Sequence, residues 1–381
     1  MDTHVSRVIV LGAGVLGASV AYHLAVAGAQ VVVIEAGGPA AGTSSATFSM
    51  DVTHLKTPRA YYELNRASAA LHATLAEELG GPSWRHPMPA IQWGDSEESR
   101  RGLRERAVRL MSWGHPCRIA DPSELRELAP DVDPAACTAD ELVVHDQSAW
   151  YDAPLFVQRL LDRAAELGAD IRYGLRAHAL IRDGDAVTGV ETGTRRWEAD
   201  WVVNCTGPDA DRVAALAGTD LPMTRIPGLV GESTPIPGLR LGAILATPEV
   251  DLRPAPGDRI CSISWPVDAL LAGQDDDALA ERLHAGGQRV LPALRAARLA
   301  GVRLGVRPVP ADGLPLAGTH PGAPGLYHLV THSGVNLAPE LGRLAAQEII
   351  GGDGPGLADY RVTRGVATSV KDESLTLMTT R

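Results

Sequence analysis

The chain has 381 residues, of which 45% are hydrophobic, with 35 Lys and Arg against 46 Asp and Glu and a formal net charge of −11. That length suits two lobes better than one. The acidic balance argues against a surface that neutralises nucleic-acid phosphates, so small molecules are the expected partners. The four cysteines, Cys117, Cys137, Cys205 and Cys261, form no CxxC pair, which predicts no metal site and a reducing, cytoplasmic compartment.

Val8-Ile9-Val10-Leu11 is a short apolar run rich in β-branched residues, and Gly12-Ala13-Gly14-Val15-Leu16-Gly17 follows it directly. Helical spacing then runs over 18–27, and Val31-Val32-Val33-Ile34 is a second apolar run. Together these predict strand, turn, helix and strand of a parallel sheet covered on both faces. The apolar stretch 8–34 is not a membrane span, because Gly12, Gly14, Gly17, His23 and Gln30 interrupt it and no basic leader precedes it.

In this setting the glycines are read as a dinucleotide motif. Gly12 permits the tight turn, Gly14 admits a pyrophosphate to the backbone, and Gly17 allows the helix to pack on the strand. The helix N-terminus would face the diphosphate. Glu35 ends the second strand where a carboxylate receives ribose hydroxyls, and its charge argues against a 2′-phosphate.

Further along, apolar residues at helical intervals predict a helix over 61–79, and a second lobe begins near Pro82. A helix is expected over 155–167 with a strand at 171–173, and strands of a small sheet at 186–191 and 197–205. Residues 275–294 read as an amphipathic helix whose acidic start, 275–277, suits a helix N-terminus or is simply solvated. The last strong helix is expected over 333–350, with no comparable pattern over 364–381.

Four segments carry a family resemblance. They are Gly42-Thr43-Ser44-Ser45, Asn204-Cys205-Thr206-Gly207-Pro208, the run from Gly305-Val306-Arg307-Pro308 through Asp312-Gly313-Leu314-Pro315 to Gly318, and Thr331-His332-Ser333-Gly334-Val335-Asn336-Leu337-Ala338-Pro339. In this order the chain resembles the D-amino-acid oxidase family, in its glycine oxidase/sarcosine oxidase-like branch. The resemblance implies an α/β fold: a Rossmann-like FAD-binding domain over 1–84, 145–220 and 306–381, interwoven with a mainly antiparallel α+β substrate domain over 85–144 and 221–305. It implies FAD held by Gly12, Gly14, Val15, Leu16, Gly17, Glu35, Ala36, Gly42, Thr43, Ser44, Ala177, Thr206, Gly207, His332, Ser333, Gly334, Val335, Asn336 and Leu337. Relatives that attach FAD covalently do so through a cysteine near the segment that here reads Gly305-Val306-Arg307, and no cysteine lies there. Non-covalent FAD is therefore expected.

The implied reaction is oxidation of the Cα–N bond of an α-amino acid or N-substituted glycine to an imine, with O2 reduced to H2O2. The alternatives are a D-amino-acid dehydrogenase using another acceptor, or a non-catalytic flavin-binding module. Arg307 matches the arginine that binds the substrate carboxylate in the family; the other reading is a structural ion pair with an acid such as Asp312. Arg253 is a second anchor candidate, or a surface residue at a strand edge. His54, with Lys56 and His332, is a titratable candidate near the flavin loops, where His54 and Lys56 are otherwise solvated loop residues. The segments 86–144 and 221–305 hold neither Tyr nor Phe. Either an aliphatic, roomy pocket is expected there, suited to a larger substrate such as an N-carboxymethyl amino acid, or the gap only reflects an alanine- and arginine-rich sequence with few aromatics anywhere.

Overall fold

The computed structural model describes residues 5–365 except 82, 194, 272–275 and 352–353. A six-stranded sheet runs in the order Leu316–Thr319, Leu326–Val330, Trp201–Asn204, Arg7–Leu11, Gln30–Ile34 and Asp170–Arg172. All neighbours are parallel except the first pair. The first strand sorts its side chains by alternation. Val8 and Val10 point into a core with the helices Val15–Val26, Ala153–Glu166 and Gly334–Ile349, whereas Ile9 and Leu11 point into a core with Val187, Val190 and Trp197. That second cover is a three-stranded antiparallel sheet, Arg195–Glu198, Ala186–Thr192 and Ala177–Asp183. Burial on both faces is why these strands read as continuous apolar runs.

The first and last helices cross closely. A Cβ on Gly342 would overlap Ser19, whose hydroxyl instead donates to Ala338 O at 2.6 Å. The helix Arg59–Leu79 also packs on Gly334–Ile349, and buried His72 ties the two by its Nε2, 2.9 Å from Val335 O.

An eight-stranded sheet contains Leu299–Pro310, Met223–Ser233, Arg259–Ile263, Asp251–Ala255, Ile244–Ala246, Ala90–Gln92, Leu142–His145 and Cys117–Ala120, in that order. Only Ile244–Ala246 and Ala90–Gln92 run parallel. Leu229, Leu252 and Ile260 pack beneath the helix Asp276–Val290, while the alternate residues Val230, Ile263 and Ile244 join Phe48, Met50 and Trp150 on the other face.

Two sequence expectations are corrected here. The single strand expected over 197–205 is two, Arg195–Glu198 in the small sheet and Trp201–Asn204 in the parallel sheet, divided by the turn at Ala199 and Asp200. The helix expected to reach residue 294 ends at Val290, because Pro292 has no N–H to continue it and a 3₁₀ turn, Pro292–Arg295, follows. Residue 275 of the acidic start, and the tail 366–381, lie outside the described residues. No described helix is long and apolar enough to cross a membrane.

Candidate active site

A cavity of about 1310 Å³ runs from the glycine turn after the first strand to the face of the eight-stranded sheet. At one end Gly12 sits at φ +100°, where a Cβ would stand 2.6 Å from Cys205 O; a Cβ on Gly17 would overlap Gly12 O. The helix Val15–Val26 has no acidic residue in its first turn. Val15 N donates to Ser44 Oγ at 3.0 Å, and a Cβ on Gly14 would crowd the same hydroxyl at 3.2 Å. Glu35 stands beside this turn, with Oε2 accepting from Ala13 N at 2.7 Å and Oε1 from Gly37 N at 2.6 Å. A helix N-terminus, a glycine cradle that a Cβ would fill and a neighbouring carboxylate are the donor set a dinucleotide requires.

Of the residues assigned to the cofactor, Gly12, Gly14, Val15, Leu16, Glu35, Ala36, Gly42, Thr43, Ser44, Ala177, Thr206, Gly207 and His332 to Asn336 all line this cavity. Gly17 and Leu337 do not. Gly17 is a packing residue against Gly12, and Leu337 is fully buried in the helical core. The start of the helix Gly334–Ile349 meets the cavity without a side-chain cap, which directs its free N–H groups at whatever binds there.

Arg307 reaches the cavity from the strand Leu299–Pro310, which is fastened to the cofactor loop where Thr43 Oγ1 donates to Val306 O at 2.5 Å. Its Nη2 lies 2.6 Å from Asp268 Oδ2, its Nη1 donates to Pro227 O at 3.0 Å, and its guanidinium lies 4.8 Å from the Trp265 ring centroid. Gly228 makes room for it, since a Cβ there would overlap the guanidinium. Asp268 is a partner the sequence did not offer, and it replaces Asp312, which instead pairs with Arg364 at 2.9 Å. Burial raises the Asp268 carboxyl against the lowering effect of Arg307.

Arg253 is corrected on both of its readings. It is buried rather than at a surface and is not part of the cavity wall. Its Nε donates to Phe48 O, its Nη1 donates to Pro254 O at 2.8 Å, and its guanidinium lies over Trp150. Lys56 is buried beside Tyr61 and also lies off the wall. His54 and His332 are wall residues. Burial, with nearby His145 for His54 and Lys56 for His332, pushes both well below the usual imidazole range, so both are neutral at pH 7.

The wall facing the cofactor end is not simply aliphatic. Leu103, Val230, Ile263 and Ala246 are joined by Trp93 and Trp265, and by the polar Gln92, Thr247, Arg106 and Asp251. No motif joins these residues in sequence; they converge because the sheet's strands, the helix Glu97–Ser112 and the short helix Trp265–Asp268 meet at one face. Cys205 is the cysteine that lines the cavity, and burial pushes its thiol far up, leaving it unionised and unreactive.

The comparisons agree with this geometry. The family model described as FAD dependent oxidoreductase matches residues 7–348. Glycine oxidase from Geobacillus kaustophilus is 26% identical over 361 residues, covering 90% of this chain and 93% of its own. The crystal structure of glycine oxidase from Geobacillus kaustophilus has the same fold, with a TM-score of 0.85 at 23% identity over 96% of this chain and 100% of that one. Iminodiacetate oxidase from Chelativorans sp. BNC1 gives a TM-score of 0.80 at 22% identity over 93% and 98%. The chain belongs to the FAD-dependent oxidoreductase family, in its glycine oxidase-like branch, and its cofactor is FAD.

Proposed function

We propose that the protein oxidises the Cα–N bond of an amino acid or N-substituted glycine whose carboxylate is held by Arg307, and that O2 is the final acceptor. The observation that carries this reading is the Arg307 guanidinium itself. It lies on the cavity wall, braced by Asp268, Pro227 O and Trp265, with its further N–H groups uncommitted among the described residues. Such a braced fork suits a carboxylate. Glycine oxidase relatives and the likeness to iminodiacetate oxidase support a substrate with nitrogen beside a carboxymethyl group.

In the reaction the Cα–H leaves as hydride, the nitrogen lone pair closes the C=N bond, and water then hydrolyses the imine. Two electrons and two protons end on O2 as H2O2. Bound FAD supplies the two-electron acceptor. The chain's own contribution is positional. Arg307 fixes the carboxylate, Trp265 and Trp93 limit water, and neutral His54 and His332 add no positive charge beside the amine. No dedicated base is needed. We further assign the parallel sheet to a cofactor domain over 1–84, 145–220 and 306–381, and the eight-stranded sheet to a substrate domain over 85–144 and 221–305, with the strands Leu142–His145 and Leu299–Pro310 running across the bounds between the two. The unbonded thiols support a cytoplasmic setting.

Acid precipitation is expected to release FAD intact into the supernatant, since the one cavity thiol is held protonated; yellow colour retained by the pellet would contradict non-covalent binding. Glu35→Ala is expected to weaken FAD by about 1–2 kcal/mol, through loss of a ribose acceptor and of the bonds to Ala13 N and Gly37 N. Titrating apoprotein with FAD measures this, and unchanged affinity would remove Glu35 from the site.

The test of the function itself is kcat/KM, followed by peroxide release, across glycine, sarcosine and N-alkyl glycines of rising length. Each methylene buried against Leu103, Val230 or Ile263 adds about 0.8 kcal/mol, so efficiency should rise along the series. A fall with chain length would contradict the large-substrate reading. Reduction of the flavin without peroxide would make the enzyme a dehydrogenase.

A further inference from the structure

Behind the cavity wall, side chains from five separate segments form one hydrogen-bonded line. Tyr62 Oη is 3.3 Å from His115 Nδ1, His115 Nε2 is 3.2 Å from His145 Nδ1, and His145 Nε2 is 3.2 Å from Gln92 Oε1. Gln92 Nε2 is in turn 3.2 Å from His54 Nε2. The line starts at buried Tyr62, passes through half-buried His115 and ends at two wall residues, Gln92 and His54. The His54 and His145 rings also lie 4.2 Å apart.

The chemistry of these groups fixes the direction of every bond. The carbonyl oxygen of Gln92 only accepts, so His145 carries its proton on Nε2 and accepts at Nδ1 from His115 Nε2–H. His115 Nδ1 then accepts from the Tyr62 hydroxyl. At the other end the Gln92 amide N–H donates to His54 Nε2, which places the His54 proton on Nδ1. Turning the amide round would reverse the line and leave the buried Tyr62 hydroxyl proton without an acceptor among the described residues. His54 Nδ1 has no partner among the described residues. All three imidazoles are neutral, His145 pushed down to about 3 and His115 to about 4, in both cases first by burial. The charged or titratable groups near His54 are His145, His115, Arg106 and Lys56, and Asp251 shares the wall with Arg106.

We propose that His54 is a specificity-determining residue whose Nδ1–H donates to an oxygen acceptor carried by the substrate away from the α-carboxylate, with Gln92, His145 and His115 as positioning residues that lock its tautomer. The ligand class is an N-substituted glycine or amino acid bearing a second carboxylate or a carboxamide. This rests on the proposed function, in which Arg307 holds the first carboxylate. A neutral directed donor favours such a substrate over its alkyl isostere without demanding a charge.

The experiment uses the FAD-loaded enzyme and three matched probes: N-(3-methylbutyl)glycine, N-(2-carboxyethyl)glycine and N-(2-carbamoylethyl)glycine. The native enzyme should prefer at least one oxygen-bearing probe over the alkyl one by about tenfold or more in kcat/KM. His54→Leu should erase that ratio. His145→Phe, at a residue that does not itself line the cavity, should lower the ratio mainly through KM. His145→Gln, which can accept from His115 and donate to Gln92 Oε1, should restore it; FAD content and Tm identify any variant that misfolds. Equal use of alkyl and oxygen-bearing probes by the native enzyme, or a ratio untouched by His54→Leu, overturns the proposal while leaving the amine-oxidase reading intact. Failure of all three probes to reduce the flavin overturns that reading, and this inference with it.

Discussion

Arg307→Ala is expected to lower kcat/KM on the true substrate by about 2–5 kcal/mol, roughly 30-fold to several-thousand-fold, with little change in FAD content. The side chain is about 15% exposed and lies against Trp265, so a carboxylate placed on it is largely shielded from water. The substitution also strands Asp268, which is about 7% exposed, and breaking a buried pair of this kind costs about 3–5 kcal/mol of stability. Asp268→Asn in the same chain removes the stranded charge while still accepting from Leu229 N, which Asp268 Oδ1 does at 2.8 Å. The double variant should therefore regain stability without regaining activity. Activity retained in Arg307→Ala would mean that the carboxylate is held elsewhere. Arg106 on the cavity wall would then be tested next, in place of Arg253, which is buried away from it.

Loss of stability on mild acidification is the second large effect. His72, His145 and His328 are almost fully buried and neutral, with burial pushing them down to about 3, 3 and 4 from a usual 6.5. The folded state thus refuses protons that the unfolded chain accepts. Stability from these groups is complete above pH 6.5 and falls as pH drops from 6.5 towards 3–4. Each contributes up to about 1.4 kcal/mol per pH unit over that window, and the three together about 4 kcal/mol per unit. By pH 5 this amounts to about 6 kcal/mol, a large share of a typical net stability of about 5–15 kcal/mol. Urea midpoints measured from pH 8 to pH 5 check this; midpoints that stay level below pH 6.5 would contradict the neutral assignment. Part of the cost falls on the site, because His72 holds Val335 O at the start of the helix whose first turn lines the cavity.

The cofactor end was legible in the sequence because its residues are consecutive. Gly12 to Gly17 act through backbone conformation and close approach, so the residue type itself records the geometry. Glu35 follows at the spacing that one strand and one helix impose. Gly17 and Leu337 belong to the same motifs but serve packing, because a motif also contains the positions that let a helix seat on its strand. The substrate end was not legible in the same way. Asp268, Gly228, Gln92 and His145 reach their positions through strand pairing across the eight-stranded sheet and the short helix Trp265–Asp268, and nothing local marks them as partners. Arg253 shows the opposite failure. A charged residue in a strand reads as an edge position, yet here stacking on Trp150 and two backbone carbonyls compensate a buried guanidinium. The absence of Tyr and Phe predicted an aliphatic wall, but Trp93, Trp265 and the polar residues make it mixed.

Anaerobic mixing of the FAD-loaded protein with pairs of amines that differ only in the carboxylate tests the central claim most directly. N-butylglycine set against N-butylmethylamine, followed at the flavin band near ~450 nm, is one such pair. Bleaching by the carboxylate-bearing amine, with little or none from its partner and with loss of that difference in Arg307→Ala, is the result the account predicts. Equal bleaching by both amines, or a selectivity that survives Arg307→Ala, would contradict it.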